Sequence, residues 1–310
     1  GLVLFGVDAD GEKGSRGYVV GASLATGAPV WEYQTDAGPT GAVQNDGCGS
    51  VWASGTVLPD LGLVVFSTAD CNFSNPPPLQ ETVLALHVAT GKLAWSFRPA
   101  RADNKCDFDF GASANAGSDA AGHSTFLGVG SKDGTYYSVD PATGRERWET
   151  NVVFGGFSGG FIASAAYDGT RVVGSTALGD FGRFESNGAK VCNPADPRDV
   201  PRQEPSVHAF VARTGAVAWQ ATRGATFGPT TLAGGMSFNP PALLGAILLV
   251  RDARTGRLLH TVPLTQESWS GVATVGDAVI LGEGTNYDYK PSGVEVLTPD
   301  GKPPVVPPSG

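Results

Sequence analysis

Short apolar segments alternate with polar, glycine-rich turns along almost the whole chain. Apolar segments at residues 63–67, 171–175, 246–250 and 278–282 have the length of buried strands. Short apolar runs bounded by Gly, Asn or Asp are typical of β-strands. No long stretch of helix-favouring residues is present. The pattern therefore predicts an all-β protein made of short strands and tight turns.

A seven-residue motif, x-Thr-Gly-x-x-x-Trp, repeats along the chain. Its copies are Ala25-Thr-Gly-Ala-Pro-Val-Trp31, Ala89-Thr-Gly-Lys-Leu-Ala-Trp95, Ala142-Thr-Gly-Arg-Glu-Arg-Trp148 and Arg213-Thr-Gly-Ala-Val-Ala-Trp219, with Arg254-Thr-Gly-Arg-Leu-Leu-His260 and Thr298-Pro-Asp-Gly301 as altered copies. Gly supplies the positive φ that a strand reversal needs, so each Thr-Gly predicts a turn between two strands. The Trp that follows is predicted to pack between neighbouring units and is assigned no chemistry.

The spacing of the motif predicts a β-propeller. The repeat glycines lie at positions 27, 91, 144, 215, 256 and 301, so successive copies are 41 to 71 residues apart. The shortest spacings fit one four-stranded antiparallel blade, and longer ones indicate loop insertions. About six blades are visible, and the first is incomplete because the chain enters on apolar residues 2–5. Six blades could close a ring, but a truncated ring of seven or eight blades is preferred.

This interpretation also gives a domain organisation. Residues 1–302 are predicted to form the propeller, with N-terminal blades missing, and residues 303–310 to form a Pro-rich tail.

Two classes of loop are expected on one face of the propeller. They are the loops between the second and third strands of a blade and the connections from a fourth strand to the next blade. The first class is assigned to residues 8–17, 68–78, 131–134 and 180–205, and the second to residues 47–52, 106–111 and 155–160. The carboxylates, the lysine and the extra Trp in these loops could therefore converge.

Such a face has two possible meanings. Carboxylate and amide oxygens suit a hard cation such as Ca²⁺, and an aromatic such as Trp52 suits a flat cofactor. Alternatively, the acidic residues are solvated turn residues, because Asp and Asn are common in turns.

The loop motifs resemble those of the alcohol dehydrogenases that depend on pyrroloquinoline quinone (PQQ), especially the polyvinyl-alcohol dehydrogenase-like branch. Asp10-Gly-Glu-Lys-Gly-Ser-Arg-Gly17 is similar to that family's G-A-E-x-G-x-R-G, and Thr68-Ala-Asp70, after Trp52, is similar to its T-G-N after the ring-stacking Trp. Asp107-Phe-Asp-Phe110 is similar to D-W-D-F, and the block from Lys132 to Gly144 is similar to K-N-G-x-x-Y-x-x-D-x-x-T-G. The Thr-Gly repeats also occur in non-catalytic propellers, so the functional expectation depends on these loops.

The resemblance implies a set of site residues. They are Glu12, Asp70 and Asn72 as metal ligands, Trp52, Lys132 and Arg16 as cofactor contacts, and Asp109 as the catalytic base. Asp70 replaces the family's Asn, which is why Asn72 is an alternative ligand. The family's adjacent-cysteine ring is absent from this sequence.

The implied reaction is the oxidation of an alcohol, polymeric or secondary alcohols included. Hydride would pass to Ca²⁺-bound PQQ, and electrons would leave to an external acceptor such as cytochrome c or a quinone. The alternatives are sugar or aldehyde oxidation by the same cofactor, and a non-catalytic propeller that acts as a binding or assembly scaffold.

Charge, hydrophobicity and cysteine content restrict the binding partners and the cellular location that we expect. The net charge is −9 and no Lys/Arg cluster is present, so nucleic-acid binding through a basic face is not expected. No run of 18 apolar residues predicts a membrane span, and no C-x-x-C-H haem signature occurs. Cys48, Cys71, Cys106 and Cys192 fit one or two disulfides of unassigned pairing in a secreted or periplasmic protein, or four reduced thiols.

Overall fold

The computed structural model describes most of the chain. The described residues are 1–9, 15–37, 48–70, 78–100, 106–157, 159–177, 183–184, 190–191, 203–242, 244–285 and 292–301. Within them the only helical turn is the 3₁₀ segment Pro59–Leu61, and everything else is strand, turn or irregular. No helix in this part of the chain is long and apolar enough to cross a membrane.

Twenty-four strands occur in the described residues. They are β1 (Leu2–Val7), β2 (Tyr18–Ser23), β3 (Pro29–Gln34), β4 (Thr56–Leu58), β5 (Leu63–Ser67), β6 (Val83–His87), β7 (Leu93–Phe97), β8 (Asn115–Ser118), β9 (Ser124–Gly130), β10 (Thr135–Val139), β11 (Glu146–Asn151), β12 (Ala166–Tyr167), β13 (Arg171–Ser175), β14 (Arg183–Phe184), β15 (Lys190–Val191), β16 (Val207–Val211), β17 (Val217–Ala221), β18 (Thr231–Ala233), β19 (Met236–Asn239), β20 (Ile247–Asp252), β21 (Leu258–Pro263), β22 (Val272–Val275), β23 (Ala278–Glu283) and β24 (Gly293–Leu297).

Six antiparallel sheets follow one another along the chain as propeller blades. Blade 1 contains β1 to β3, blade 2 β4 to β7, blade 3 β8 to β11, blade 4 β12, β13, β16 and β17, blade 5 β18 to β21, and blade 6 β22 to β24. The small β14–β15 hairpin lies in the long insertion of blade 4. The prediction of four-stranded antiparallel blades, about six of them visible, is confirmed, whereas the number of blades in a complete ring stays a prediction.

The Thr-Gly motif joins blades 1 to 5 to one another. Every repeat glycine has a positive φ, between 68° and 74°. The Trp31 indole donates to the carbonyl oxygen of Val88 over 2.9 Å, and its ring covers Gly91 so closely that a Cβ there would collide with it. The same pairing joins Trp95 to Gly144, Trp148 to Gly215 and Trp219 to Gly256. The predicted role of the motif Trp in packing between blades is confirmed.

The hydrophobic core lies mainly between blades. One cluster combines Leu63 and Val83 of blade 2 with Leu127 and Tyr137 of blade 3. Others join blade 1 to blade 2, blade 3 to blade 4, and blade 5 to blade 6. The middle strands β5 and β10 are buried along their full length. Burial of one large apolar side chain contributes about 1.5–3 kcal/mol, so these interfaces hold the loops at the blade ends in fixed positions.

The two terminal blades are less enclosed than the central ones. Val3 and Phe5 of β1 are exposed, as are Val294 and Val296 of β24. The sixth motif copy also has no ring packed against it, since a Cβ on Gly301 would meet nothing within 4 Å.

Candidate active site

A repeated pair of backbone hydrogen bonds fixes the start of each inner strand. In blade 3, Phe110 N–H donates to Thr68 of the preceding blade, and Lys132 N–H donates to the carbonyl of Asp109 within the same blade. Blade 2 makes the same bonds from Val51 to Val7 and from Ala69 to Ser50. Asp109 therefore occupies in blade 3 the place that Ser50 occupies in blade 2.

Four charged side chains converge where blades 2 and 3 meet. Lys132 Nζ lies 2.7 Å from Asp107 Oδ1 and 3.6 Å from Asp109 Oδ2. The Asp70 N–H donates to Asp109 Oδ1. Asp109 and Lys132 are only 7% and 6% exposed, so these charges are largely removed from water.

This placement brings together three of the residues predicted from separate loops, namely Asp70, Asp109 and Lys132. The sequence had not singled out Asp107, although it lies in the same Asp-Phe-Asp-Phe motif. Its backbone has a φ of +57°, in the left-handed region that few non-glycine residues adopt. That conformation accompanies the contact between its carboxylate and Lys132.

The pKa values of the cluster are strongly displaced. Burial, followed by repulsion from Asp109 and Asp107, raises the pKa of Asp70 to about 8. Burial also raises the pKa of Asp109 to about 6, although attraction to Lys132 opposes the rise. Burial alone would lower the pKa of Lys132, but the carboxylates of Asp109 and Asp107 outweigh it and raise that pKa above its usual value. Two neighbouring carboxyls with displaced pKa values are common at acid–base sites.

The three carboxylates also form a plausible ligand set for a cation. One oxygen each from Asp70, Asp107 and Asp109 lies within 4.8 Å of the other two. Three acidic groups beside one lysine leave the cluster negatively charged when all are ionised. A hard divalent cation would offset the repulsion that raises the pKa of Asp70, so this donor set fits Ca²⁺ in its chemistry.

Trp52 lies next to the chain segment that leads from this cluster to β8. The outer edge of its indole packs on Gly111, two residues after Asp109, and a Cβ at Gly111 would collide with it. The same Cβ would lie 3.0 Å from the carbonyl oxygen of Ile162 in the following blade. The indole is 41% exposed. The glycine thus allows a flat, half-exposed aromatic surface close to the acidic cluster.

A glycine-rich turn brings an apolar side chain to the same cluster. Gly156 N–H donates to the carbonyl of Lys132 over 2.8 Å, and Gly159 N–H donates to the carbonyl of Gly156 over 3.0 Å. Phe157, inside this turn, has its ring centroid 5.5 Å from Lys132 Nζ. The sequence assigned this segment to the correct loop class but gave Phe157 no role.

The remaining predicted residues have different outcomes. Arg16 Nε lies 3.4 Å from the buried carboxylate of Asp36, so its ion pair belongs to blade 1. The adjacent Gly17 N–H donates to Cys48, at the base of the segment that leads to Trp52. Glu12 and Asn72 lie outside the described residues, and their predicted roles as metal ligands stay predictions.

Cysteines precede two of the chain segments that carry the site. Cys48 precedes Trp52, Cys106 immediately precedes Asp107, and both are disulfide-bonded. Cys71 and Cys192 lie outside the described residues, so the pairing stays open. The alternative of four reduced thiols is wrong.

The sequence is similar to one family model and to one characterised dehydrogenase. Residues 79–193 match the PQQ_2 family model, described as outer membrane protein assembly factor BamB. The polyvinylalcohol dehydrogenase of Sphingopyxis sp. (strain 113P3) is 27% identical over 234 residues, which cover 66% of this chain and 33% of that protein. The aligned part therefore spans about a third of that relative.

Solved structures extend the likeness to nearly the whole chain. The quinohemoprotein alcohol dehydrogenase of Comamonas testosteroni superposes with a TM-score of 0.62 at 17% identity, covering 92% of this chain and 55% of the other. The two chains share a β-propeller fold. BamB of Moraxella catarrhalis superposes with a TM-score of 0.56 at 17% identity, covering 92% of this chain and 74% of the other.

The predicted resemblance is therefore confirmed. The chain is similar in sequence to a polyvinylalcohol dehydrogenase and in fold to a quinohemoprotein alcohol dehydrogenase. Identities near 17% show a shared fold only, so the role of each site residue depends on the geometry described above.

Proposed function

We propose that this chain is the catalytic propeller of a quinoprotein oxidoreductase that oxidises an alcohol with PQQ and Ca²⁺. The observation that carries the proposal is the convergence of Asp70, Asp109 and Lys132 from three separate loops, beside the half-exposed indole of Trp52. Buried charges are costly to maintain, and a purely structural loop cluster does not require them.

The cofactor and metal are assigned to the residues that fit their chemistry. Asp70, with Glu12 and Asn72, would hold Ca²⁺, while Trp52, Lys132 and Arg16 would contact PQQ. When bound, the quinone would supply the acceptor for the hydride of the alcohol carbon, and the cation would supply Lewis acidity toward a quinone oxygen.

Asp109 is assigned the role of general base. Its carboxylate is held by the Asp70 N–H at one oxygen, and Lys132 Nζ lies 3.6 Å from the other. With a pKa near 6, it is mostly ionised at neutral pH yet more basic than an ordinary aspartate. It can therefore accept the hydroxyl proton of the substrate. Lys132 would stabilise negative charge that develops beside it.

We also propose a cellular location and an electron acceptor. The disulfide-bonded Cys48 and Cys106 suit an oxidising compartment, which supports a secreted or periplasmic location. The absence of a haem-attachment motif in this sequence favours an external electron acceptor such as cytochrome c or a quinone.

A second candidate function is a non-catalytic assembly scaffold. The family model that matches residues 79–193 is described as an assembly factor, and BamB has the same fold. A scaffold would have no reason to bind PQQ. Adding PQQ and Ca²⁺ to the full chain and recording its melting temperature separates the two, because a ligand that binds only the folded form must stabilise it.

Replacing Asp109 by Asn tests the catalytic assignment. Asn keeps an oxygen that can accept the Asp70 N–H but cannot take a proton. We expect the rate of dye-linked alcohol oxidation to fall by at least about 100-fold, with PQQ binding retained in a fluorescence titration.

Asp168→Asn is the matched control, since it changes an exposed turn aspartate of blade 4. It should leave both activity and binding unchanged. Full activity in the Asp109 variant would remove that residue from the role of base.

A further inference from the structure

We infer that Phe157 determines substrate specificity, and that the site prefers alcohols carrying an apolar chain over methanol. The inference deepens the proposed function and rests on it for the identity of the reacting group. It does not concern the metal, the cofactor or the base.

The first observation is the fixed position of the turn that carries Phe157. The carbonyl of Lys132 accepts the N–H of Gly156, and Phe161 N–H donates to the carbonyl of Ser131 over 2.9 Å. A Cβ at Gly155 or Gly160 would collide with the backbone of Lys132. The turn is therefore held on both sides against the segment that supplies the buried lysine.

The second observation is the contrast in exposure over a short distance. Phe157 is 54% exposed, and its ring lies 5.5 Å from the Nζ of a lysine that is 6% exposed. That lysine contacts Asp107 and Asp109. The phenyl ring is therefore close enough to the cluster to contact the carbon chain of an alcohol whose hydroxyl binds at Asp109.

The chemistry of the ring sets the substrate class. A cation near an aromatic face is a favourable contact, so Lys132 helps to hold the ring in place, and Phe157 is 54% exposed. Methylene groups next to the hydroxyl-bearing carbon could cover this apolar surface. Removing one methylene fully from water is worth about 0.8 kcal/mol, or roughly fourfold in affinity. Methanol has no carbon chain to place there.

The test is a series of 1-alkanols from methanol to hexanol, oxidised with an artificial electron acceptor by the full chain loaded with PQQ and Ca²⁺. For the wild type we expect kcat/KM to rise about two- to fourfold per methylene. Phe157→Ala should reduce the step to less than about twofold, mainly through KM, and leave methanol within about threefold. Phe157→Leu should restore most of the dependence. Val217→Ala, an exposed apolar control on β17, should behave as wild type.

A binding measurement makes the inference independent of turnover. The protein is labelled with 4-fluorophenylalanine, and the Phe157 signal is assigned by its loss in Phe157→Leu. We expect 1-hexanol to shift this ¹⁹F resonance saturably, whereas methanol at equal concentration does not.

The outcomes separate the two proposals. An unshifted Phe157 resonance, or an unchanged chain-length dependence in Phe157→Ala, overturns the inference even if alcohols are oxidised. If 1-hexanol shifts the resonance saturably but the protein oxidises no alcohol, the proposed function is contradicted. The contact between the alkyl chain and Phe157 is then still supported.

Discussion

At the scale of single residues, the ionisation of Asp70 links the site to stability. An aspartate in an unfolded chain titrates near about 3.9, whereas burial and its acidic neighbours raise the pKa of folded Asp70 to about 8. The folded state therefore holds a proton that the unfolded state releases above pH 5. The stabilisation that this proton gives is complete at low pH and is lost as the pH rises through about 8. Over that range the free energy of unfolding falls by up to about 1.4 kcal/mol per pH unit for one proton.

We therefore expect the melting temperature of the metal-free protein to fall between pH 6.5 and 9. Asp70→Asn should make that fall clearly smaller, and Asp168→Asn should not. Burial lowers the pKa of His208 to about 3, so it is neutral in the folded state throughout this range. In the unfolded chain a histidine titrates near about 6.5, so its effect is small above about pH 7. Scanning calorimetry at several pH values in a chelator provides the measurement, and equal slopes in wild type and Asp70→Asn would contradict it.

The sequence predicted only part of the site at this scale. Asp70, Asp109 and Lys132 were found because each lies in the expected loop class, and the fold then brings the loops together. Asp107 and Phe157 were not, because their contacts with Lys132 depend on a left-handed backbone at Asp107 and on a tight glycine turn. Neither conformation leaves a pattern of apolar and polar residues. Glu12 and Asn72 stay predictions.

At the scale of elements, the Thr-Gly turn combines two requirements that can be separated by mutation. Gly27 and Gly215 both have a φ of +74°, but only Gly215 is covered by a Trp ring. Alanine at Gly27 should cost about 1 kcal/mol, because only the backbone conformation is unfavourable.

Alanine at Gly215 should cost about 1–3 kcal/mol more, because its methyl group would displace Trp148. Urea unfolding of the two variants measures the difference. Equal losses of stability would show that the packing of Trp148 on Gly215 contributes little.

The predicted boundaries of two loops match the structure at both ends. These are the loops between the second and third strands of blades 1 and 3, predicted at residues 8–17 and 131–134. Each begins directly after one flanking strand and ends directly before the next, β1 and β2 in blade 1 and β9 and β10 in blade 3. The two-residue strand β12 and the β14–β15 hairpin were not predicted, since two residues carry no readable alternation. Segment 246–250 corresponds to β20 (Ile247–Asp252), shifted at both ends.

At the scale of the whole molecule, blade 6 presents an exposed sheet edge. In the part of the chain that the structure describes, β24 pairs only with β23, and Val294 is 73% exposed. Unpaired strands with apolar side chains tend to associate with other strands.

Val294→Lys should therefore reduce concentration-dependent association, measured by light scattering, and change the free energy of unfolding by less than about 0.5 kcal/mol. Leu24→Lys is the control, because Leu24 is exposed in a turn rather than on a sheet edge. If both variants associated as wild type does, the edge of blade 6 would not be the contact.

The number of blades in a complete ring was not predictable from the repeats. Each copy of the motif specifies how one blade packs on the next, through a Trp and a glycine. Ring size depends on the angle between neighbouring blades, which the repeated motif does not specify.

The equivalence of Ser50 and Asp109 has a consequence for how a reactive group can arise in a repeat protein. Ser50 Oγ accepts the N–H of Ala9 over 2.8 Å, as Asp109 Oδ1 accepts that of Asp70 one blade later. In these two blades a side-chain oxygen at this position accepts a backbone N–H of the preceding blade, so the backbone that positions Ser50 also positions the acid Asp109. A repeat protein can in this way acquire a reactive group by a single side-chain substitution. The backbone conformation of the loop around it does not need to change.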